Sequence, residues 1–411
     1  MNRRSFDWRR VRWRSWAALI HDGVDATTRL VGEGHASTAR NVRRVTDAVP
    51  LIAGPARLID ELRRVSTEGV LGSVRVVNRS VELLLDAGLA QVPVVEGGPV
   101  SLRSDAVGGP EWAEDAALGL INGVMGDRLG GGSGSLDLGM KLRHGDHYLP
   151  EKPASRADRP RVVVLIHGLA TTEWSWCLDS GAYHGDAAAT FGSLLASDLG
   201  LQPVYVRYNT GRSIADNGRM LAERLEALTL AWEPETLLLL GHSMGGLVAR
   251  SATHSAARAG QQWLGRVTQL VSLASPHRGS PVAQWADQLA MLLGSVDLPA
   301  TRIIGQILDV RSAGIQDLRE GEVGEEPGDV ALLPHISYSF LSATATVDPR
   351  LGGLTGDLLV TVESASGPRA GCGPVLTYTF RGVLHHQIQC HPQVYAAVRM
   401  VLAAGGAAVA E

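Results

Sequence analysis

Hydrophobic positions along the chain change their spacing once. Up to about residue 125 they recur at loose helical intervals. Val45, Leu51, Ile52, Leu58, Ile59 and Leu62 make one set, and Val81, Leu83, Leu84, Leu85 and Leu89 another, with Pro50, Pro55 and Pro93 as punctuation. Residues 1–125 therefore read as a helical N-terminal extension. Further on, the apolar residues gather into short continuous runs: Arg161 to Gly168, Pro203 to Tyr208, Leu237 to Leu240, Val267 to Ala274, Ile336 to Ala343 and Val375 to Phe380. A continuous run, as opposed to an alternating one, is expected of a parallel strand buried on both faces. Helical segments separate many of these runs: Ala187 to Leu199, Ile214 to about Leu228 with Ala215, Met220, Leu221 and Leu225 as its candidate inner face, Leu247 to Ala259, and Pro392 to Ala404. That alternation predicts an α/β class protein, a mainly parallel sheet with helices on both faces and right-handed crossovers.

Three stretches interrupt the pattern. Gly123 to Gly139, with the glycine/serine run at its centre, marks a boundary, and 126–135 is expected to be a flexible linker to the α/β domain at 136–411. The run lacks the Lys-Ser/Thr ending of a phosphate-binding loop. Leu136 to Tyr148 fits one or two short antiparallel strands at the sheet edge. Residues 281–335 hold two apolar helical stretches, Val282 to Leu293 and Thr301 to Val310, and then an acidic loop, and are expected to form a helical cap or lid. The acidic run lacks the spacing of a cation-binding turn.

Ligands of open parallel sheets bind beyond the carboxyl ends of the strands. At that edge fall His167-Gly168-Leu169, Gly241-His242-Ser243-Met244-Gly245 and Ser275-Pro276-His277. The second is G-x-S-x-G between a strand and a helix, a turn that thrusts a serine hydroxyl outward. A serine hydroxyl is a poor nucleophile until a neutral imidazole takes its proton, and a carboxylate must orient that imidazole. After Ser243 the chain supplies Asp357 in a Gly-Asp turn as the preferred acid, with Asp348 and Glu363 behind it. It supplies His385, straight after Gly382-Val383-Leu384, as the preferred base, with His386 as the alternative. Adjacent residues on an extended loop point apart, so only one of the two reaches Ser243. His391 is expected to open the terminal helix, and His167 and His242 to brace their loops. Two backbone donors for a developing oxyanion are expected from Met244, after the nucleophile, and from Leu169.

Composition changes this picture little. With 45% hydrophobic and 19% charged residues, the 411-residue chain can bury a sizeable core. A net charge of −4 gives no reason to expect a nucleic-acid partner. Cys177, Cys372 and Cys390 are too few and too far apart for a disulfide scaffold or zinc site, which favours a reducing, cytoplasmic setting. No run of about 18 apolar residues predicts a membrane span. In the first twenty residues, arginines alternate with Trp8, Trp13 and Trp16. Such a helix could lie on an anionic membrane surface; the alternative is one docked on the protein, or a frayed terminus.

The motifs VVVLIHGLATT (162–172), GHSMGG (241–246), LASPHRGS (273–280), GDLLV (356–360) and GVLHHQIQCHP (382–392) resemble the α/β-hydrolase superfamily, and within it the lipase and carboxylesterase branch. LASPHRGS is similar to the segment after the serine in bacterial lipases and in PGAP-type inositol deacylases. The resemblance covers about Leu136 to Glu411. It implies the α/β-hydrolase fold, Ser243, Asp357 and His385 as a catalytic triad, and cleavage of a small-molecule or lipid ester through an acyl-serine. It selects His385 over His386, because a single histidine stands six residues before a His-Pro pair in the related pattern. It also marks Leu358 as standing where a glycine is common. No cofactor is implied; a structural calcium, as in some lipases, is left open. Acyltransferase and thioesterase chemistry use the same groups. The rival of another class is a non-hydrolytic binding or scaffolding module at a membrane surface.

Overall fold

The computed structural model describes residues 110–129, 136–280, 312–324, 330–348, 356–368 and 375–407. The expected helices before residue 110, the basic Trp-bearing start, Cys372 and the two apolar stretches of the cap lie outside the described residues.

Eight strands form one sheet: β1 (Met140–His144), β2 (His147–Tyr148), β3 (Arg161–Ile166), β4 (Gln202–Tyr208), β5 (Thr236–His242), β6 (Val267–Leu273), β7 (Ser337–Thr344) and β8 (Val375–Arg381). Their order is β2-β1-β4-β3-β5-β6-β7-β8. The hairpin of β1 and β2 joins β4 antiparallel at one edge, and every pair from β4 to β8 is parallel. The runs read as strands from their unbroken hydrophobicity are these strands, within one to three residues at each end. β3 and β5 are buried from their second residue onward, because helices cover both faces.

The helices between strands begin where caps allow. Helix α1 (Pro110–Met125) precedes the sheet, followed by α2 (Ser180–His184) and α3 (Phe191–Leu199). Thr190 and Ser193 exchange side-chain and backbone hydrogen bonds in a capping box, so α3 starts at Phe191 and not at Ala187. Helix α4 (Ile214–Trp232) is capped by Ser213 and buries Ile214, Leu221, Leu225 and Leu228, whereas Ala215 and Met220 are only half-buried. Helix α5 (Met244–Ala259) begins directly at the serine turn. Helices α6 (Ala313–Glu320), α7 (Val362–Ala365) and α8 (Pro392–Ala407) complete the set. Every second residue of the central strands packs into one cluster, Val163, Leu165, Leu238, Leu240, Val271 and Leu273, with Leu195 of α3 and Val394, Val398 and Leu402 of α8. The alternate residues face the side of the sheet where α5 packs on β5 and α4 on α5. Among the described residues no helix is long and apolar enough to cross a membrane.

The boundary expected at residue 125 falls in the wrong place. Helix α1 belongs to the same compact unit as the sheet. Asp115 of α1 pairs with Arg207 of β4 through both its oxygens, one at 2.8 Å, and accepts a hydrogen bond from Thr172 Oγ1 (3.3 Å). Arg207 also meets Glu173 (2.7 Å), which accepts from Arg143 (3.3 Å) and from the Tyr148 hydroxyl (2.8 Å). The first residues of the expected linker are folded too. Gly126–Arg128 is a single 3₁₀ turn, and Asn209 Nδ2 donates to the Gly126 carbonyl at 2.9 Å. A side chain on Gly126 would run into Asn209.

Burial alone would raise the Glu173 pKa, but the guanidinium groups of Arg207 and Arg143 more than reverse this and hold it at about 2. Glu173→Gln would leave two buried guanidinium groups short of a counter-charge. Its unfolding free energy in urea at pH 7 is expected to fall by about 3–5 kcal/mol.

Candidate active site

The site is built on the exit of β5, the sheet's central parallel strand. Ser243 stands between β5 and α5 with φ +54° and ψ −124°, a conformation that costs an L-residue strain. Its N–H donates to the Leu273 carbonyl of β6 (2.8 Å), and its carbonyl accepts from Gly246 (3.1 Å). The neighbouring glycines are required by close approach. A Cβ on Gly241 would lie 2.5 Å from the Gly246 nitrogen, one on Gly245 would strike the Ile166 carbonyl, and one on Gly246 would strike Ser275 Oγ. The positive φ is thus carried by the serine itself.

His385, in the loop after β8, points Nε2 at Ser243 Oγ (2.9 Å) and Nδ1 at Asp357 Oδ2 (2.8 Å). A carboxylate can only accept, so Nδ1 carries the proton and Nε2 is left to accept the serine's. All three residues are buried. Asp357 is itself fixed, because Oδ1 accepts from the amides of Leu359 (3.0 Å) and Val360 (2.8 Å). The turn that presents it takes positive φ at Gly356 (+54°) and at Leu358 (+81°). Such a conformation favours glycine, and here a leucine takes it.

The other candidates point elsewhere. Asp348 is exposed, and Glu363 is paired with Arg278 at the surface (3.0 Å). The His386 ring faces Asp179 at 3.8 Å, so the two adjacent histidines do diverge. Nδ1 of His391 accepts the Gln393 amide (3.3 Å) at the start of α8.

Buried imidazoles surround the site without entering it. His242 Nε2 donates to the His385 carbonyl (3.0 Å) and so ties the residue before Ser243 to the loop that brings His385 to it. His167 Nδ1 donates to the Gly168 carbonyl (2.9 Å), stacks on Tyr208 with centroids 4.4 Å apart, and receives the Tyr208 hydroxyl on its own carbonyl (2.8 Å). His277, which sequence placed at the same strand edge as Ser243, instead accepts from Arg250 of α5 (3.2 Å). Burial pushes His167 down to about 4 and holds His242 and His277 well below 6.5; nearby His385 adds to the effect on His242, and Arg250 to that on His277.

The loop after β3 passes beside the serine. A Cβ on Gly168 would sit 3.0 Å from Ser243 Cβ. Leu169 is buried, and its N–H has no acceptor among the described residues. Ala170 has φ +60° and donates its N–H to Thr210 Oγ1 (3.0 Å), a contact between the exits of β3 and β4 that no sequence motif signalled. Met244, at the first position of α5, has an amide with no acceptor inside its helix. Among the described residues no group of three or more His, Cys, Asp and Glu side chains is placed to hold a metal ion.

Each buried neutral histidine binds no proton near pH 6, whereas it does so once unfolded. Their folded pKa values lie below 6.5, so stability is complete above about 6.5 and declines as the pH falls toward 4. At pH 5.5 each should contribute about 1 kcal/mol less than at pH 7.5, which calorimetric melts at the two pH values would register. Separately, Leu358→Gly removes an exposed side chain from a left-handed backbone position. It should raise the unfolding free energy by about 1 kcal/mol, read from thermal melts.

Residues 195–298 match the model of the PGAP1-like alpha/beta domain. No curated protein matches the chain. Three solved structures are similar at a distance. One is the mature lipase BlEst2 of Bacillus licheniformis, 17% identical over 64% of this chain and 97% of that one, with a TM-score of 0.39. Another is an esterase of Pyrobaculum calidifontis, 17% identical over 66% and 81%, at 0.38. The third is RedJ, a thioesterase from the prodiginine biosynthetic pathway in Streptomyces coelicolor, 17% identical over 60% and 94%, at 0.36. Its own strand order, with a serine turn at the exit of the central strand, shows that the chain has the α/β-hydrolase fold.

Proposed function

We propose that the protein is a serine hydrolase that cleaves carboxylic esters through an acyl-serine intermediate. The observation that carries this reading is the buried relay Ser243–His385–Asp357, with contacts of 2.9 and 2.8 Å. Ser243 Oγ attacks the ester carbonyl carbon while His385 Nε2 takes its proton. Asp357 stays ionised, holds the tautomer and stabilises the imidazolium. The carbonyl oxygen becomes an oxyanion between the N–H groups of Met244 and Leu169. These donors do not have to reorient as the charge forms. Collapse of the tetrahedral intermediate breaks the bond to the leaving alcohol, which His385 protonates. A water then gives its proton to His385 and attacks the acyl carbon, and as that second tetrahedral intermediate collapses to the acid His385 returns the proton to the departing Ser243 Oγ.

The apolar character of the segment 281–335 is the reason to favour medium or long acyl chains, and lipid esters are included in this reading. The Trp-bearing basic start supports a peripheral contact with an anionic membrane surface. A thioester substrate would acylate Ser243 through the same groups, and an alcohol in place of water at the acyl-enzyme would make the protein a transferase.

With p-nitrophenyl butyrate as substrate, Ser243→Ala and His385→Ala should each lower kcat by roughly 10⁴–10⁶-fold, because members of one relay fail together. His386→Ala should stay within about threefold of the unmodified protein, as expected of a side chain outside the relay. Fluorophosphonate labelling should disappear in Ser243→Ala. Full turnover by that variant would refute the assignment, and an unlabelled, inactive parent protein would favour the scaffolding alternative.

A further inference from the structure

Helix α1 lies outside the strand–helix alternation, yet it touches the loop beside the serine. Two of its glycines, Gly119 and Gly123, are one helical turn apart and so share a face. A Cβ on Gly119 would lie 2.9 Å from the Thr171 carbonyl carbon. One on Gly123 would lie 2.6 Å from Ala170 Cβ, 2.7 Å from its Cα and 3.0 Å from its nitrogen. Each glycine weakens a helix by about 1 kcal/mol relative to alanine. What the glycines permit is an approach of two backbones that no side chain would allow.

The helix is anchored independently of this contact. Asp115 holds it to Arg207 and Thr172 on one side. Ser312 Oγ donates to the Gly123 carbonyl (2.7 Å), and Asn209 Nδ2 to that of Gly126 (2.9 Å). In the same loop, Ala170 gives its N–H to Thr210 Oγ1 and takes φ +60°. Ala170 is therefore held by both α1 and Thr210, and the Leu169 N–H lies one peptide earlier, on the bond from Gly168, so that a shift of Ala170 reaches it through the backbone of Leu169.

We propose that α1 is a positioning element for the oxyanion donor of Leu169, acting through the contacts of Gly123 on Ala170 and Gly119 on Thr171. The proposal rests on the reading of Leu169 as an oxyanion donor. The donor distance matters chiefly when negative charge develops, so a shift of the loop should reduce kcat far more than substrate binding.

The test uses the full chain, p-nitrophenyl butyrate, and a fluorophosphonate to count active serines. Gly123→Ala should lower kcat per labelled serine by about 10- to 100-fold with KM within about threefold, the scale of a misplaced reacting group. Its affinity for a trifluoromethyl ketone, which forms a tetrahedral adduct on the serine, should weaken in parallel. Gly119→Ala asks its neighbours for a smaller adjustment and should show the same split to a lesser degree. Gly265→Ala, whose Cβ meets nothing within 4 Å, should match the parent protein.

A contact with only a structural role would reduce the melting temperature and the number of labelled serines but leave kcat per serine unchanged, and that result would overturn the proposal. Loss of folding in both variants, where Ser243→Ala folds, would do the same. If the parent protein turns over the ester and labels, and the glycine variants equal it, this proposal falls alone. If the parent neither labels nor turns over, the hydrolase reading falls and takes the proposal with it.

Discussion

The backbone of Ser243 is the constraint on which the rest depends. A serine at φ +54° is strained, and such a conformation survives only where its surroundings leave no alternative. Here β6 holds its amide, and α5 starts at the next residue. The glycines at 241, 245 and 246 let the strand, the helix and the strand-exit loops come together at backbone distance. The strain is stored in the centre of a sheet buried on both faces, where strands on either side resist its relaxation. The result is a hydroxyl whose direction is set before any partner arrives.

The partners of that hydroxyl are fixed by the same economy of backbone contacts. Asp357 cannot turn away from His385, because two amides of its own turn hold its other oxygen. His385 is held on its carbonyl by His242, the residue next to the serine. Displacing one member of the group would therefore move its neighbours. The three buried imidazoles outside the relay hold carbonyls or accept from an arginine, and burial keeps them neutral; a proton on any of them would be a buried charge, and on His277 it would also remove the acceptor of Arg250. Their use as struts makes the fold sensitive to acid even where they take no part in chemistry.

At the other side of the site, buried charge does the corresponding work. The cluster of Asp115, Arg207, Glu173, Arg143 and Tyr148 joins α1, the edge hairpin, β4 and the loop after β3. Charges removed from water are tolerated there because each has a partner at hydrogen-bond distance. A helix that would otherwise be an appendage thus becomes a wall of the catalytic unit.

The parallel strands were legible in the sequence because a strand buried on both faces must be apolar without interruption, as Val162–Ile166 and Leu237–Leu240 are. The serine turn was legible because its glycines meet strict steric demands. The order of Ser243, Asp357 and His385 could be read because each follows a recognisable strand or turn. Helix α1 could not be placed, since the glycine/serine run after it looks like a linker, and Asp115 meets its ion-pair partner Arg207 92 positions away and Thr172 57 positions away. Helix α6 is eight residues long, too short for its periodicity to stand out. The inner face of α4 was half misread, because Gly218 takes a place against Ser251 that an apolar count assigns to its neighbours. What the sequence determined by itself was the parallel strands, the longer helices between them and the chemistry available at the strand exits, all of which follow from local pattern. What only the tertiary structure decided was that the preferred histidine and carboxylate meet at the serine, and which helix closes on the loop beside it. Those outcomes depend on distances between segments far apart in the chain, and no local pattern encodes them.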